Sequence, residues 1–249
     1  MEKEELFNDF QKYALTNIID FFSQEMKDKF ELYFTELVEW NKILNLISFK
    51  SEKDLIYRHF CDALYGAKVI SDITSKDAVL KVADIGTGSG MPGIPVKIAL
   101  PNIKLTLVES ITKKCKFLEN VNNKLDLSID ILNSRTEEIG QKPKYRQQYD
   151  FVLSRAVSKF SPNLEISIPL LKVGGYFVVH KTKKSAESLE EGLPAVENAL
   201  NHLGAKLEQT IPYNLPQQEL DYCILVFKKY KDTSVQFPRK PGTPEKKPL

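Results

Sequence analysis

The stretch Val82-Ala83-Asp84-Ile85-Gly86-Thr87-Gly88-Ser89-Gly90-Met91-Pro92-Gly93 carries the most chemical information in this 249-residue sequence. It follows an apolar, β-branched run and leads into Ile94-Pro95-Val96, where proline suits the first turn of a helix. Glycines at this spacing let the backbone turn sharply and approach a ligand with no Cβ in the way. Strand, glycine loop and helix in that order make a cradle for a nucleotide-like cofactor at the C-terminal edge of a sheet.

Two cofactors compete for that cradle. Gly88-Ser89-Gly90-Met91-Pro92-Gly93 satisfies G-x-G-x-x-G, the dinucleotide fingerprint. Gly86, however, is the first glycine after the strand, so the match is out of register with the strand end. Asp84 would also set a carboxylate against a pyrophosphate. S-adenosyl-L-methionine has no phosphate and carries a sulfonium and an ammonium, so an acid there is favourable. Asp-x-Gly-x-Gly-x-Gly resembles the first motif of Rossmann-like methyltransferases. This reading makes Asp84, Gly86, Gly88, Gly90 and Met91 cofactor-binding candidates, with an NAD-dependent oxidoreductase as the alternative. Glu109 ends the next strand, where a carboxylate can accept from both ribose hydroxyls of either cofactor. Thr136 and Glu137 follow the third strand and offer backbone N–H groups to an adenine edge, or simply open a helix. Arg155 ends the fourth strand, facing the transferred group.

The acceptor is read from what is missing. The fourth strand does not end in Asn/Asp-Pro-Pro-Tyr, and no cysteine follows a proline, so neither an exocyclic amine nor a covalent route is indicated. A purine N7, with a lone pair and no proton to lose, needs little beyond alignment. Arg58-His59, Lys181 with Lys183 and Lys184, and the basic C-terminal tail are candidate phosphate contacts. Lys113, Lys114 and Lys116 are expected on the solvent side of a helix.

Tyr33, Leu37, Trp40, Leu44 and Ile47 step by three and four along one helical face within a helical segment 1–75. From Val79 the period changes. Apolar runs at Val79–Ile85, Lys104–Glu109, Ser128–Leu132, Tyr149–Ser154, Gly175–His180 and Tyr222–Phe227 alternate with helical stretches at Thr112–Leu125, Asn163–Leu171 and Ser185–Leu203. That predicts an α/β domain over 76–230 with a mostly parallel sheet. Gly174-Gly175 reads as a turn, and Lys206–Phe227 as two returning strands. Residues 231–249 form a proline-punctuated basic tail whose composition predicts an extended end with no helix.

Bulk charge is uninformative, at 35 Lys+Arg against 33 Asp+Glu, but its distribution is not. Residues 1–40 hold ten acids and four lysines, whereas 228–249 hold seven bases and two acids. An anionic partner on the C-terminal side is expected. The acidic N-terminus is no secretory signal, and no apolar run is long enough to span a bilayer. Cys61, Cys115 and Cys223 lie 54 and 108 residues apart, so neither a disulfide framework nor a zinc ribbon is expected. His59, His180 and His202 show no metal-binding spacing. A cytoplasmic protein without metal is the expectation.

The sequence resembles the bacterial ribosomal RNA small subunit methyltransferase G family, also called glucose-inhibited division protein B. The resemblance spans nearly the whole chain. It runs through Trp40-Asn41-Lys42-Ile43-Leu44-Asn45-Leu46, Arg58-His59, Asp62-Ala63-Leu64, the glycine loop, Glu109-Ser110, Lys114, Phe117-Leu118, Arg135-Thr136-Glu137, Ser154-Arg155-Ala156 and Arg239-Lys240-Pro241-Gly242-Thr243-Pro244. It implies a Rossmann-like class I fold with a seven-stranded sheet and a helical N-terminal extension. The implied activity is methyl transfer from S-adenosyl-L-methionine to N7 of a guanine in the 530 loop of 16S rRNA, on the small ribosomal subunit. By matching positions the cofactor contacts are Gly86, Met91, Thr136, Glu137 and Arg155, with Glu109 at the ribose. Arg155 and Lys181 are the catalytic candidates. Arg58, His59, Lys181, Arg239, Lys240, Lys246 and Lys247 are the RNA candidates, and a monomer is expected. The resemblance also implies an ordered tail near the RNA. A non-catalytic RNA-binding module on the same scaffold is the third reading.

Overall fold

The structure, a computed structural model, describes residues 3–155, 160–182, 193–216, 218 and 221–249. Helices α1 (Lys3–Asn17), α2 (Gln24–Leu44) and α3 (Cys61–Ile73) precede the sheet. Strands β1 (Lys81–Ile85), β2 (Lys104–Glu109), β3 (Asp130–Asn133), β4 (Tyr149–Arg155), β5 (Leu171–Thr182), β6 (Ala205–Tyr213) and β7 (Tyr222–Lys229) alternate with α4 (Gly93–Ala99), α5 (Thr112–Leu125), α6 (Thr136–Gly140), α7 (Phe160–Ser167) and α8 (Leu193–Leu203). The sheet order is β3-β2-β1-β4-β5-β7-β6, with β7 alone antiparallel to its neighbours. This is the expected mostly parallel, seven-stranded sheet.

Period-two burial divides the core between the sheet's two faces. Val82, Leu105, Leu107, Phe151 and Leu153 pack with Phe7, Phe10, Phe30 and Phe60 of the N-terminal helices. Ala83, Ile85, Val108, Val152 and Phe177 pack with Leu164 and Leu200 of α7 and α8 on the other side. Residues before the sheet therefore supply one of its covers. The α2 stripe lies inward as its spacing predicts: Tyr33 stacks on Phe60 at 5.5 Å and Trp40 meets Phe117 edge-on at 5.8 Å. Glu36 lies inside that packing rather than on the far face, accepting from Asn120 Nδ2 and Lys124 Nζ, both at 2.6 Å.

Three local expectations are corrected. Gly174-Gly175 is not a turn: β4–β5 pairing jumps from Tyr149–Leu171 to Phe151–Tyr176, so residues 172–175 bulge within one strand, with Gly174 at φ 89°. The helix expected over Asn163–Leu171 starts earlier, at Phe160, and gives way to a tight turn over Ile168–Leu170. The tail contains a helix, α9 (Thr243–Lys246), because Pro244 falls in its first turn, where no amide hydrogen is needed. Of the helix expected over Ser185–Leu203, 185–192 lie outside the described residues.

The tail climbs the molecule from one sheet edge to the other. Near its start the Arg146 guanidinium donates to the carbonyls of Thr233, Ser234 and Phe237, and also to that of Gly140. Midway, Arg239 meets the fully enclosed Glu165 with its backbone N–H at 2.8 Å, Nε at 2.8 Å and Nη2 at 2.5 Å. At the far edge the Gly242 N–H donates to Glu137 Oε1 at 3.0 Å, and Ser161 Oγ donates to the Leu249 carbonyl oxygen.

Arg239 is thus the counter-charge of a buried carboxylate. Arg239→Ala should lower unfolding stability in urea by about 3 kcal/mol, the low end for stranding a buried ion, because Arg239 keeps 27% of its side-chain surface. Lys240→Ala, on the exposed surface next door, should stay within about 0.5 kcal/mol of the parent.

Candidate active site

The C-terminal ends of β1 to β5 share one sheet edge, and the strand order reverses between β1 and β4, where open α/β sheets hold their ligands. The glycine loop leaves β1 there. Gly86, Gly88 and Gly90 take φ values of 60°, 59° and 91°, the left-handed region that glycine enters without penalty. A Cβ on Gly90 would stand 2.3 Å from Ile94 Cδ1, so that glycine is required by close packing. A Cβ on Gly88 would meet nothing nearer than 4.0 Å, so the loop's backbone faces open space at this point.

Three side chains hold the loop. Asp84 Oδ2 accepts from Thr87 Oγ1 at 2.5 Å and from the Gly93 N–H at 2.8 Å. Glu109 Oε2 accepts from the Gly88 N–H at 3.0 Å, while its Oε1 accepts from the Ile111 N–H at 2.8 Å. The Tyr33 hydroxyl donates to the Ser89 carbonyl at 2.6 Å. Asp84 is therefore placed differently from the sequence expectation of an acid facing a cationic ligand. It lies wholly enclosed beneath the loop, and burial pushes its pKa up to about 7 against the pull of its two hydrogen bonds. Its Oδ1 is buried without a hydrogen-bond partner among the described residues. Glu109, 6% exposed, keeps lone pairs beyond its two backbone contacts. Met91 is a buried apolar wall. Thr136 and Glu137 open α6, where N–H groups have no intrahelical acceptor. The Glu137 carboxylate is engaged by the tail.

Arg155 ends β4 in a buried polar cluster. Its Nε donates to Asp62 Oδ2 at 3.0 Å and its Nη2 to His59 Nδ1. Asp62 Oδ1 accepts from the Tyr213 hydroxyl and from His180 Nδ1 at 3.2 Å. Burial alone would raise the Asp62 pKa, but Arg155 and His180 beside it hold the carboxyl well below the usual range. His59 is corrected as an RNA contact. It is 4% exposed, donates from Nε2 to the Ser48 carbonyl at 3.0 Å, and burial beside Arg155 drives its pKa down to about 3. It stays neutral and presents no charge to a phosphate. Its aim comes from a π-helical stretch, Leu55–Phe60, running into α3, a wider coil that recurs at functional sites.

The other basic candidates divide. Arg58 is half-exposed, 3.7 Å from Asp54. Lys181 ends β5 with Nζ 5.6 Å from the Phe160 ring centroid, and burial lowers its pKa. Lys240, Lys246 and Lys247 are exposed on the tail. Arg239 is occupied by Glu165, which corrects its assignment to RNA. Lys183 and Lys184 lie outside the described residues. Lys114, expected on the solvent side, leans inward: its Nζ stands 4.0 Å from the Cβ position of Gly88. Among the described residues no three His, Cys, Asp or Glu side chains converge as a metal would require, and no helix is long and apolar enough to cross a membrane.

A sequence model of the rRNA small subunit methyltransferase G family, GidB, matches residues 26–206. The chain belongs to this family. Among curated members, ribosomal RNA small subunit methyltransferase G of Alkaliphilus oremlandii is 41% identical over 214 residues, 86% of each chain. That of Bacillus subtilis is 38% identical over 228 residues, 91% of this chain and 92% of its own. Solved structures share the fold at lower identity. M. jannaschii TYW2 in complex with AdoMet matches 68% of this chain and 76% of its own at TM-score 0.52 and 14% identity. The [4+2]-cyclase SpnF matches 83% and 96% at TM-score 0.54 and 12% identity. The same architecture thus appears under differently named chemistries, and the methyltransferase G assignment rests on sequence.

The contacts behind the site leave no mark in the sequence. Tyr33 sits where its spacing puts a core residue, and periodicity alone says nothing of a hydroxyl reaching Ser89. The burial of Asp62, His180 and Tyr213 around Arg155 joins residues up to 151 positions apart, which no local pattern reports.

Asp84 yields a pH test. An unfolded carboxyl titrates near about 4, whereas the folded group titrates at about 7. Between those values the folded chain holds the extra proton, so this group's contribution to stability falls as pH rises through that window. Melting temperatures of the cofactor-free protein should show Asp84→Asn gaining on the parent from pH 4.5 to pH 8. A constant offset between the two would remove Asp84 as a buried, displaced acid.

Proposed function

We propose that this chain transfers a methyl group from S-adenosyl-L-methionine to N7 of a guanine in the 530 loop of 16S rRNA, acting as a cytoplasmic monomer without a metal. Family membership supports the rRNA methyltransferase class. The observation that carries the cofactor is the glycine loop: three left-handed glycines, tied down by Asp84, Glu109 and Tyr33, present open backbone at Gly88. These residues fit the cofactor. The backbone of Gly86 and Gly88 would hold its amino-acid portion, and the Glu109 carboxylate, with lone pairs left over, would take the ribose hydroxyls. The Thr136 and Glu137 N–H groups suit the adenine edge, with Met91 as an apolar wall. When bound, the cofactor supplies an electrophilic methyl group on sulfur.

The chain's own task is alignment and charge control. Guanine N7 has an in-plane lone pair and no proton to release, so the site needs no general base. His59 suits that requirement, with one ring nitrogen toward Ser48 and the other toward Arg155. Arg155, held by Asp62 at the end of β4, would supply a positive group beside the reacting atoms. Lys181, Arg58 and the exposed lysines Lys240, Lys246 and Lys247 are the remaining candidates for rRNA phosphates.

The purified protein should transfer labelled methyl to small subunits, or to 16S rRNA, from cells lacking the modification, and mapping should place it on guanine N7 in the 530 loop. Binding without transfer would instead support the non-catalytic RNA module, and calorimetric affinity for NAD but not for S-adenosyl-L-methionine the oxidoreductase. Replacing Lys240, Lys246 and Lys247 together by alanine should reduce the slope of log affinity against log salt by roughly 2 to 3, at roughly 0.7–0.9 per phosphate contact, and leave cofactor affinity unchanged. An unaltered slope would exclude the tail from the interface.

A further inference from the structure

We infer that Asp62, seconded by His59, is a positioning residue for Arg155: together they occupy Nε and Nη2 of the guanidinium and leave Nη1 as the donor nitrogen for an oxygen of the reacting ligands. The inference rests on the methyl-transfer reading above and assigns what that reading leaves open, how a single arginine can serve a guanine at this atom.

The geometry is specific. Asp62 lies on α3 and is 3% exposed, and it is met from three strands. Arg155 from β4 reaches Oδ2, while His180 from β5 and Tyr213 from β6 both reach Oδ1. His180 and Arg155 are register partners in the sheet, which fixes their approach to the same carboxylate. His59 takes Nη2 on its Nδ1, while its Nε2 hydrogen is committed to Ser48. Arg155 Nη1 is enclosed and lacks a hydrogen-bond partner among the described residues. A buried guanidinium nitrogen is a strong donor that ordinarily finds an acceptor, so one left over points to an acceptor supplied by a ligand.

The clamp has a chemical consequence. Arginine's commonest contact with guanine is a fork, two donors on O6 and N7 together. That fork would cover the lone pair to be methylated. With Nε given to Asp62 and one Nη2 hydrogen to His59, the side-on fork through those two nitrogens is closed, and Nη1 is the nitrogen left to hold O6 and leave N7 exposed. Asp62 then acts on rate more than on binding.

The test compares wild type with Asp62→Asn, a substitution of the same shape. The kcat should fall roughly 10- to 100-fold, as for a misplaced reacting group, with KM for RNA within about twofold. In an Arg155→Lys background the same change should cost nothing further, since there is no guanidinium to position. A folded Asp62→Asn protein turning over at the wild-type rate, or effects of the two changes that multiply, would overturn the inference. A second readout does not need turnover: the Arg155 Nε–H, followed by nitrogen-15 NMR, should exchange slowly in wild type and rapidly in Asp62→Asn. Equal exchange overturns the clamp even if wild type proves inactive on rRNA, an outcome that would sink only the functional reading. Should Asp62→Asn not fold, His59→Phe, which loses the acceptor, should slow turnover, and His59→Asn, which keeps one, should retain it. Equal rates for these two count against the inference.

Discussion

A single carboxylate oxygen, Asp84 Oδ2, gathers the two ends of the glycine loop, Thr87 at its start and the first helical amide at Gly93. Along the loop three glycines take left-handed φ values, and the Gly90 and Met91 N–H groups both donate to the Thr87 carbonyl. Withdrawing the acid from water is costly, and its raised pKa records that cost. The hydroxyl of Tyr33 adds a third anchor from a helix far upstream. The cradle is therefore a property of the whole β1 surroundings and not of the glycine motif alone.

The N-terminal helices have a double role that follows from their packing. They cover one face of the sheet, and through Tyr33, His59 and Asp62 they also reach its ligand-bearing edge. His59 and Asp62 stand three residues apart on one helical face, so both side chains bear on Arg155 from the segment where π-helical geometry passes into α3. Stability and site geometry are thus held by the same helices.

Much of this was legible in the residues. Strand and helix alternation from Val79 onward gave the sheet, since parallel strands buried on both faces read as apolar runs. Thr112–Leu125 is matched to the residue by α5. Glu109 and the glycines stand where their types indicate, because a strand-end acid and a left-handed turn are local features. Long-range satisfaction was not legible. Arg239 and Glu165, or Arg155 and Asp62, carry no sign in sequence that they meet, so a charged residue read as solvent-facing can be a buried partner. The tail's composition misled for the same reason: proline and lysine suggested an unstructured end, while Arg146 and Glu165 supply the contacts that order it.

The cations near the C-terminus are sorted by edge. Lys229 is wholly enclosed and donates to the Ile168 and Leu171 carbonyls, and Arg239 is taken by Glu165. Lys228 and Lys231 lie where β7 ends, which, for an antiparallel strand, is the side away from the glycine loop. Lys240, Lys246 and Lys247 alone of this group follow the climb to Gly242. Cations of the C-terminal segment therefore stand at both ends of the strands, and their charge alone does not tell a polyanion which end to take. Orientation has to be chosen at short range, by shape and by directed hydrogen bonds.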